Sequence, residues 1–272
     1  MTAATRSGPM TRATLPRSSR PRRSSWSMGC GVERCELRVD SCGDGKTRGG
    51  LGLRREVRIL GAEGTFSELS DRNLVPPFGV CGGHAAAPNR FTVVRDGQEL
   101  QPSDIPGKVS AFPLRRDDVV VMESAGGGGY GLAHERDVAL VLRDVLEGYM
   151  SADKARARYG VVVVGVAVDD DATHRLRQQL ASAGLRFRIV PEETDEFSDG
   201  RRICRLAAED MRRFGIKEDA LIELINPVGA PLRAWARSHG IVADGTTRLG
   251  PIGQAVLAKT SDDTIELRVI TG

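Results

Sequence analysis

Between residues 36 and 121 apolar side chains recur in short runs broken by turn chemistry, a period of two that predicts strands rather than helices. The runs 36–39, 54–60, 65–70, 90–94 and 118–123 are the expected strands. Asp44-Gly45, Gly49-Gly50, Pro76-Pro77 and Gly82-Gly83 supply the turns between them, and Arg95-Asp96-Gly97-Gln98 predicts a tight hairpin.

From residue 135 the period lengthens. Val138, Val141, Leu142, Val145 and Leu146 share one helical face that Gly148 terminates, and Ser151 is placed to cap a short helix ending near Tyr159. After the apolar run 161–168, Asp171 is expected to cap a third helix that carries Leu176 and Leu180 and closes at Gly184. Residues 185–201 are expected to be a linker, most clearly over the acidic stretch 191–200. Beyond it, 206–214 predicts a helix stopped by Gly215, and 220–225, 231–236, 254–258 and 264–270 predict strands. The expected fold class is α+β, with a β-rich body over 35–184, a few short helices, and a small β-barrel-like C-terminal module over 202–272.

With 272 residues, 40% of them hydrophobic, the chain can bury one or two cores and is no disulfide-stapled miniprotein. No apolar run approaches the roughly 18–20 residues that span a bilayer, so no membrane partner is expected. The formal charge of +3 is local: Arg6, Arg12, Arg17, Arg20, Arg22 and Arg23 stand in an acid-free leader, and without them 33 basic residues face 36 acidic ones. A nucleic-acid partner is therefore not expected, and aromatics at 4% leave little to stack on bases. Residues 1–34 read as a disordered tail, a transit-like leader interrupted by Pro9, Pro16 and Pro21, or non-native sequence. Cys30, Cys35, Cys42, Cys81 and Cys204 form no C-x-x-C pair, which argues against a zinc ribbon and for a reducing, cytoplasmic setting.

Gly126, Gly127, Gly128, Gly129, Tyr130 and Gly131 form the densest motif. It satisfies G-x-G-x-x-G formally, but Leu132-Ala133-His134 separate it from the next helix, so the helix N-terminus is misplaced for a pyrophosphate. No Lys-Ser/Thr follows, which removes the P-loop reading. What remains is a loop whose backbone closely approaches a ligand or another segment, or a structural glycine turn. Arg48, among the glycines of 46–55, is placed either to hold an anion or to sit in a solvated basic turn. The histidines show no metal-ligand spacing; His84 alone lies in a glycine-rich loop, and Trp235 reads as a core or interface anchor.

The strings SCGDGKTRGGLGLRREVRIL, FSELSDRNLVPPFGVCGGHAAAPNRF and VMESAGGGGYG, in that order and followed by ERDVALVLRDVLEGYMSADKARARYGVV, resemble the C-terminal part of the hydantoinase B/oxoprolinase family from about Glu36 to Gly184. The resemblance implies a fragment of a subunit for ATP-dependent opening of a cyclic amide such as 5-oxoproline or a hydantoin. A hydantoinase A-type partner would hold ATP and Mg, and the relatives' divalent metal ligands would lie in an N-terminal half absent here. No cofactor is assigned to this chain, which alone is expected to be inactive. Motif position makes Arg48, Asp71, Arg72, Asn89 and the loop Gly126–Gly131 the candidates for substrate or partner binding. The chain departs from the family at Thr47, at Leu132-Ala133, where Asp-Pro is usual, and at His84 and Ala86. The segment from Arg202 resembles an extension of some family members. Two readings compete with catalysis in a hetero-oligomer: a noncatalytic remnant that only docks the partner, and a dinucleotide-binding oxidoreductase resting on the glycine pattern alone.

Overall fold

The computed structural model describes residues 29–240, 242–260 and 263–270. Most of the 1–34 tail therefore lies outside the described residues; its end does not behave as a tail, because Cys30–Leu37 is a strand, β1, in antiparallel register with Leu53–Ile59, β2.

Strand β3 (Glu63–Leu69) follows, then β4 (Arg90–Arg95), β5 (Gln98–Leu100), β6 (Lys108–Arg115) and β7 (Val119–Glu123). Five of them form an antiparallel sheet in the order β1-β2-β7-β4-β5, and β3 and β6 form a separate ribbon. The ribbon packs Phe66, Phe112 and Leu114 against Ile59, Val93 and Val120 of the sheet. The β4–β5 hairpin turns at Asp96 and Gly97, both at positive φ, with Arg95 opposite Gln98 as the sequence predicts. Strand β6 was not expected; Pro113 and its mixed burial hide the alternation that pairing with β3 satisfies.

The helical layer holds α1 (Val138–Leu146), α2 (Ala152–Tyr159) and α3 (Asp170–Ser182). Helix α1 starts three residues later than expected because a 3-10 turn, Ala133–Glu135, precedes it. Ser151 caps α2 as expected, its hydroxyl accepting from the Lys154 N–H. The α3 cap is Asp169, not Asp171: Asp169 accepts from the Ala172 N–H, while Asp170 and Asp171 occupy the first turn, where the helix dipole favours acids. Before α3, the apolar run 161–168 folds into a two-strand hairpin, β8 (Val163–Val164) and β9 (Ala167–Val168). Tyr159, Val161, Ala155 and Val141 are fully buried between these pieces.

The C-terminal module is larger than expected. Its strands are β10 (Leu185–Pro191), β11 (Phe197–Ser198) and β12 (Arg201–Leu206), then, after α4 (Ala208–Phe214), β13 (Leu221–Leu224), β14 (Leu232–Ser238) and β15 (Thr246–Leu249), and after α5 (Pro251–Leu257), β16 (Thr264–Val269). The expected linker 185–201 thus opens with a strand of the module: Phe187 and Ile189 point into the core while Arg186 and Arg188 point out, and β10 pairs with both β15 and β16. Likewise 254–258 belongs to a helix, entered through Pro251 in its first turn, and 206–207 precede α4 rather than starting it.

Six strands close a barrel in the order β12-β14-β13-β16-β10-β15, with β15 returning to β12. The barrel is built twice over. Strand, strand, helix, strand (β10, β12, α4, β13) repeats as β14, β15, α5, β16, and the pairings exchange: β12 runs parallel to β14 as β15 does to β10, and β13 is antiparallel to β14 as β16 is to β10. The remaining contacts, β13 with β16 and β12 with β15, pair equivalent strands on the pseudo-twofold, so every pairing of the barrel joins one half to the other. Its core packs apolar side chains, from Phe187, Ile189 and Leu206 to Ile222, Leu224 and Leu267, with the buried Thr247 hydroxyl 3.0 Å from Cys204 Sγ.

Candidate functional site

Three glycine-bearing loops meet where the sheet gives way to the helical layer: residues 41–50, 78–84 and 126–131. They are joined backbone to backbone. Gly43 donates to Gly127 O at 2.8 Å, Gly127 to Gly50 O at 2.9 Å, Gly129 to His84 O at 2.9 Å, Val80 to Gly129 O at 2.9 Å and Gly131 to Val80 O at 3.0 Å, while Thr47 and Tyr130 exchange both of their bonds. The approach leaves no room for side chains: a Cβ on Gly128 would lie 1.8 Å from Phe78 O, and one on Gly49 would lie 1.9 Å from Gly127 O.

In this knot Gly126–Gly131 takes the close-approach arrangement that the sequence allowed. The loop approaches another segment, and four of its six N–H groups, those of Gly127, Gly129, Tyr130 and Gly131, are spent inside the protein. A dinucleotide pyrophosphate would find no free cradle there.

Arg48 is also turned inward. Its guanidinium binds Asp144 through Nε–Oδ2 at 2.9 Å and Nη2–Oδ1 at 3.2 Å, and stacks over the Tyr149 ring at 5.6 Å. Arg136 Nη2 meets the same Oδ2 at 2.9 Å, so a carboxylate with only 1% of its side chain exposed is held by two arginines. The anion placed at Arg48 is thus an internal one, which ties the first loop to α1. Asn89 ties the ribbon to the third loop: Nδ2 donates to Asp71 O and Oδ1 accepts from the Ala125 N–H, each at 2.5 Å. Asp71 and Arg72 are exposed in the connecting turn, with Arg72 at positive φ and its carbonyl accepting from the Asn89 N–H. Of the candidates, Arg48, Asn89 and the glycine loop gather around the knot, whereas the side chains of Asp71 and Arg72 face solvent.

Beside the knot runs a cleft of about 810 Å³ between α2, the loops at 40–44 and 84–90, and the end of β16. At its base Lys154 Nζ meets Asp44 Oδ1 at 3.1 Å and the carbonyls of Asp40 and Cys42 at 2.8 and 2.9 Å. The Tyr159 hydroxyl donates to the same Oδ1 at 3.1 Å, and Arg158 Nε stands 3.9 Å from Oδ2. Burial raises the Asp44 carboxyl above the usual range against the pull of Lys154. Burial likewise raises the thiol of Cys42. His84, whose N–H binds Asp44 O at 2.7 Å, faces the cleft; burial, then Arg268, Arg158 and Lys154, press its imidazole down to about 2, so it is neutral at pH 7.

The barrel forms the far wall and is latched to the knot. Arg268 donates to Gly83 O and Gly82 O, each at 3.1 Å, and Arg233 donates to Pro76 O at 2.5 Å. Both arginines converge on Glu223, fully buried: Arg233 Nε and Nη2 meet Oε1 at 2.9 and 2.8 Å, and Arg268 Nη1 lies 3.9 Å from Oε2. Lys154, Arg158, Arg268 and Glu223 carry no site signal in the sequence because they come from a helix and two barrel strands far apart in the chain. His84 in its glycine loop was the one local signal.

Among the described residues no three of His, Cys, Asp and Glu gather at metal-binding distance, and the cations around Asp44 and His84 oppose a metal ion there. The residues present do not fit the divalent site implied for the relatives. Among the described residues, too, no helix is long and apolar enough to cross a membrane.

The fold is thus a glycine-knit β-body latched to a closed barrel, with a cationic cleft at the seam. Residues 26–133 match the hydantoinase B/oxoprolinase family, beginning ten residues before and ending 51 residues before the span 36–184 expected from the sequence. The chain is 37% identical over 145 residues to an uncharacterized protein, MJ0963, of Methanocaldococcus jannaschii, covering 52% of this chain and 25% of that one. It is 32% identical over 148 residues to the putative B-type subunit of a D-/L-hydantoinase from a Pseudomonas strain, covering 54% and 25%. The crystal structure of an ATP-dependent caprolactamase from Pseudomonas jessenii is similar at 31% identity and a TM-score of 0.45, over 55% of this chain and 26% of that one. The chain spans about a quarter of the length of these relatives.

Proposed function

We propose that this chain serves a hydantoinase B-type component of an ATP-dependent cyclic amide hydrolase, opening a 5-oxoproline- or hydantoin-type ring together with a hydantoinase A-type partner. One observation carries the reading. The continuous span that matches the family, residues 26–133, contains all three loops that are knotted together in space, so the match takes in the whole of that structural unit.

The chemistry asks for two parts. An amide is a poor electrophile, and phosphoryl transfer to its oxygen by the ATP-binding partner activates the carbon; water then adds to it, the C–N bond breaks with the ring nitrogen leaving as a protonated amine, and a second water hydrolyses the resulting acyl phosphate to carboxylate and phosphate. Within this chain the residues at hand are suited to binding and positioning. The knot fixes the loop that carries His84, Lys154 holds Asp44, and Arg268 anchors the barrel wall, so the cleft is preorganised before a ligand arrives.

The test is ATP-dependent hydrolysis of 5-oxoproline and hydantoin by this chain mixed with a hydantoinase A-type partner, with co-purification scored on the same mixture. Turnover above the partner-alone rate is the expected outcome. Co-purification without turnover replaces the proposal with a docking remnant, and absence of both removes it.

A further inference from the structure

The cleft holds two guanidinium groups whose charge its own structure leaves incompletely matched. The other cations are held more closely: Arg38 donates to Pro88 O and Ser124 O at 2.7 and 3.3 Å and stands 3.8 Å from Glu123, Arg90 pairs with Glu99, and Lys154 is saturated by Asp44 and two carbonyls. Arg158, by contrast, reaches only Asp44 Oδ2 at 3.9 Å, and that carboxylate is already held by Lys154 and Tyr159 through its other oxygen. Arg268 gives its donors to two neutral carbonyls, and its nearest carboxylate oxygen, on Glu223, is 3.9 Å away, while the other oxygen of that carboxylate is taken by Arg233. His84 lines the same cleft, directly after the glycines that Arg268 grips, and its ring has no hydrogen-bond partner among the described residues. Of the carboxylates that line the cleft, Asp40 accepts from the Ser151 N–H, Asp44 is paired with Lys154, and Asp153 lies exposed on α2.

We infer that His84, Arg158 and Arg268 form a receptor for a small oxyanion carried by the ligand, either a carboxylate or a phosphoryl group. The inference deepens the cyclic-amide reading and rests on it only for the choice of probe. Two guanidinium groups supply charge and planar donors, and a neutral imidazole supplies one ring N–H without adding repulsion between cations. Covering incompletely matched, partly buried cations is favourable, because the anion restores what desolvation removed. The electrostatics agree: burial and then Arg268, Arg158, Lys154 and His134 all oppose protonation of His84, so an anion bound among these cations must raise the affinity of that ring for a proton.

The experiment uses the full chain alone, without ATP or partner. Calorimetric titrations with 5-oxoproline, with 2-pyrrolidinone, the same lactam lacking the carboxylate, and with inorganic phosphate are combined with NMR titration of the His84 ring. Binding of 5-oxoproline but not 2-pyrrolidinone is expected, with an upward move of the His84 titration midpoint in the complex. Arg158 is half exposed and makes no short bond, so Arg158→Gln should keep the fold while weakening binding about tenfold or more, and Arg158→Lys should recover part of the loss. Phosphate that displaces 5-oxoproline at lower concentration assigns the site to a phosphoryl group; phosphate that fails to displace it assigns a carboxylate. Equal binding of the two lactams, unchanged affinity in Arg158→Gln, or no binding of any oxyanion overturns the inference. Its failure is separable from failure of the hydrolase reading, since turnover of a neutral ring with the partner would leave that reading standing while the oxyanion site fell.

Discussion

The two halves of this chain bury themselves by opposite means. The barrel excludes water with side chains, stacking isoleucine, leucine and phenylalanine inside six strands. The knot excludes it with main chain, bringing three loops so close that only glycine fits and leaving their peptide groups to satisfy one another. The contrast teaches where each half is tolerant. A side-chain core can shrink or relax around a lost methyl group, but a main-chain contact has nothing to give.

The strongest way to break the comparison is therefore a single methyl group. Gly128→Ala places a Cβ 1.8 Å from the Phe78 carbonyl oxygen, and neither backbone can yield without parting the loops. A loss above about 4–5 kcal/mol is expected, read as a collapse of the urea midpoint or failure to express folded protein. A variant with near-native stability would mean that the loops are not knotted as described.

Next in size is Asp144→Ala. It strands Arg136, 7% exposed at its side chain, and Arg48 without their shared carboxylate, at a cost of about 3–5 kcal/mol. Asp144→Asn should recover only part of this, since its one carbonyl oxygen can still accept while its amide nitrogen faces a guanidinium donor. In the barrel the matching cut is Leu224→Ala, from a fully buried position, which should cost about 2–5 kcal/mol according to how far the interior closes over the cavity. If Leu224→Ala proved costlier than Gly128→Ala, the barrel and not the knot would be the less forgiving half.

Legibility in the sequence divides along the same line. The sheet strands and hairpin were readable because alternation and an Asp-Gly turn are local signals, and the helices α1 to α3 were readable from period and caps. The knot was half visible: the glycines announced a close approach but could not say to what, because Gly49 meets Gly127 across 78 residues. Strand β10 had its signal in plain alternation, Phe187 and Ile189 against Arg186 and Arg188, and was obscured by the acidic stretch after it. The barrel's twofold left only short echoes in the residues, Leu185-Arg186 with Leu232-Arg233, Arg205-Leu206 with Arg248-Leu249 and Ile222-Glu223-Leu224 with Ile265-Glu266-Leu267, which stand out only once the pairings are known. The cleft was least legible of all. Its cations come from α2 and β16, and only closure of the barrel onto the loops brings Arg268 to the carbonyls of Gly82 and Gly83.

A smaller effect tests the seam between the halves through pH. His84 is held neutral in the folded chain, with its imidazole pressed down to about 2, whereas in the unfolded chain it titrates near its ordinary value of 6.5. Above that value the ring is neutral in both states and contributes no pH dependence. Below it the unfolded state takes up a proton that the folded state refuses, so stability falls with falling pH, by at most about 1.4 kcal/mol per pH unit. Asp44, raised by burial, acts in the opposite sense near its own titration, so the measurement is a difference: wild type minus His84→Asn, followed by denaturant midpoint from pH 7 to pH 5. The wild type should lose more stability across that window. Parallel curves would mean that His84 takes up a proton in the folded cleft as readily as in the unfolded chain.

The smallest expected effect has the opposite sign and sharpens the comparison most. Gly50 lies in the same family-matched loop as Gly49, yet an added Cβ there meets nothing within 4 Å, and its backbone is outside the left-handed region. Gly50→Ala should leave the fold intact and, by narrowing the unfolded ensemble, stabilise it by up to about 0.4–1 kcal/mol. Beside Gly49→Ala, whose Cβ would stand 1.9 Å from the Gly127 carbonyl oxygen, it separates two explanations for a glycine-rich loop. If glycine were needed there for flexibility, the two neighbours would respond alike to alanine. If it is needed because another main chain occupies the space, only Gly49→Ala should fail, and the difference between adjacent residues measures the knot directly.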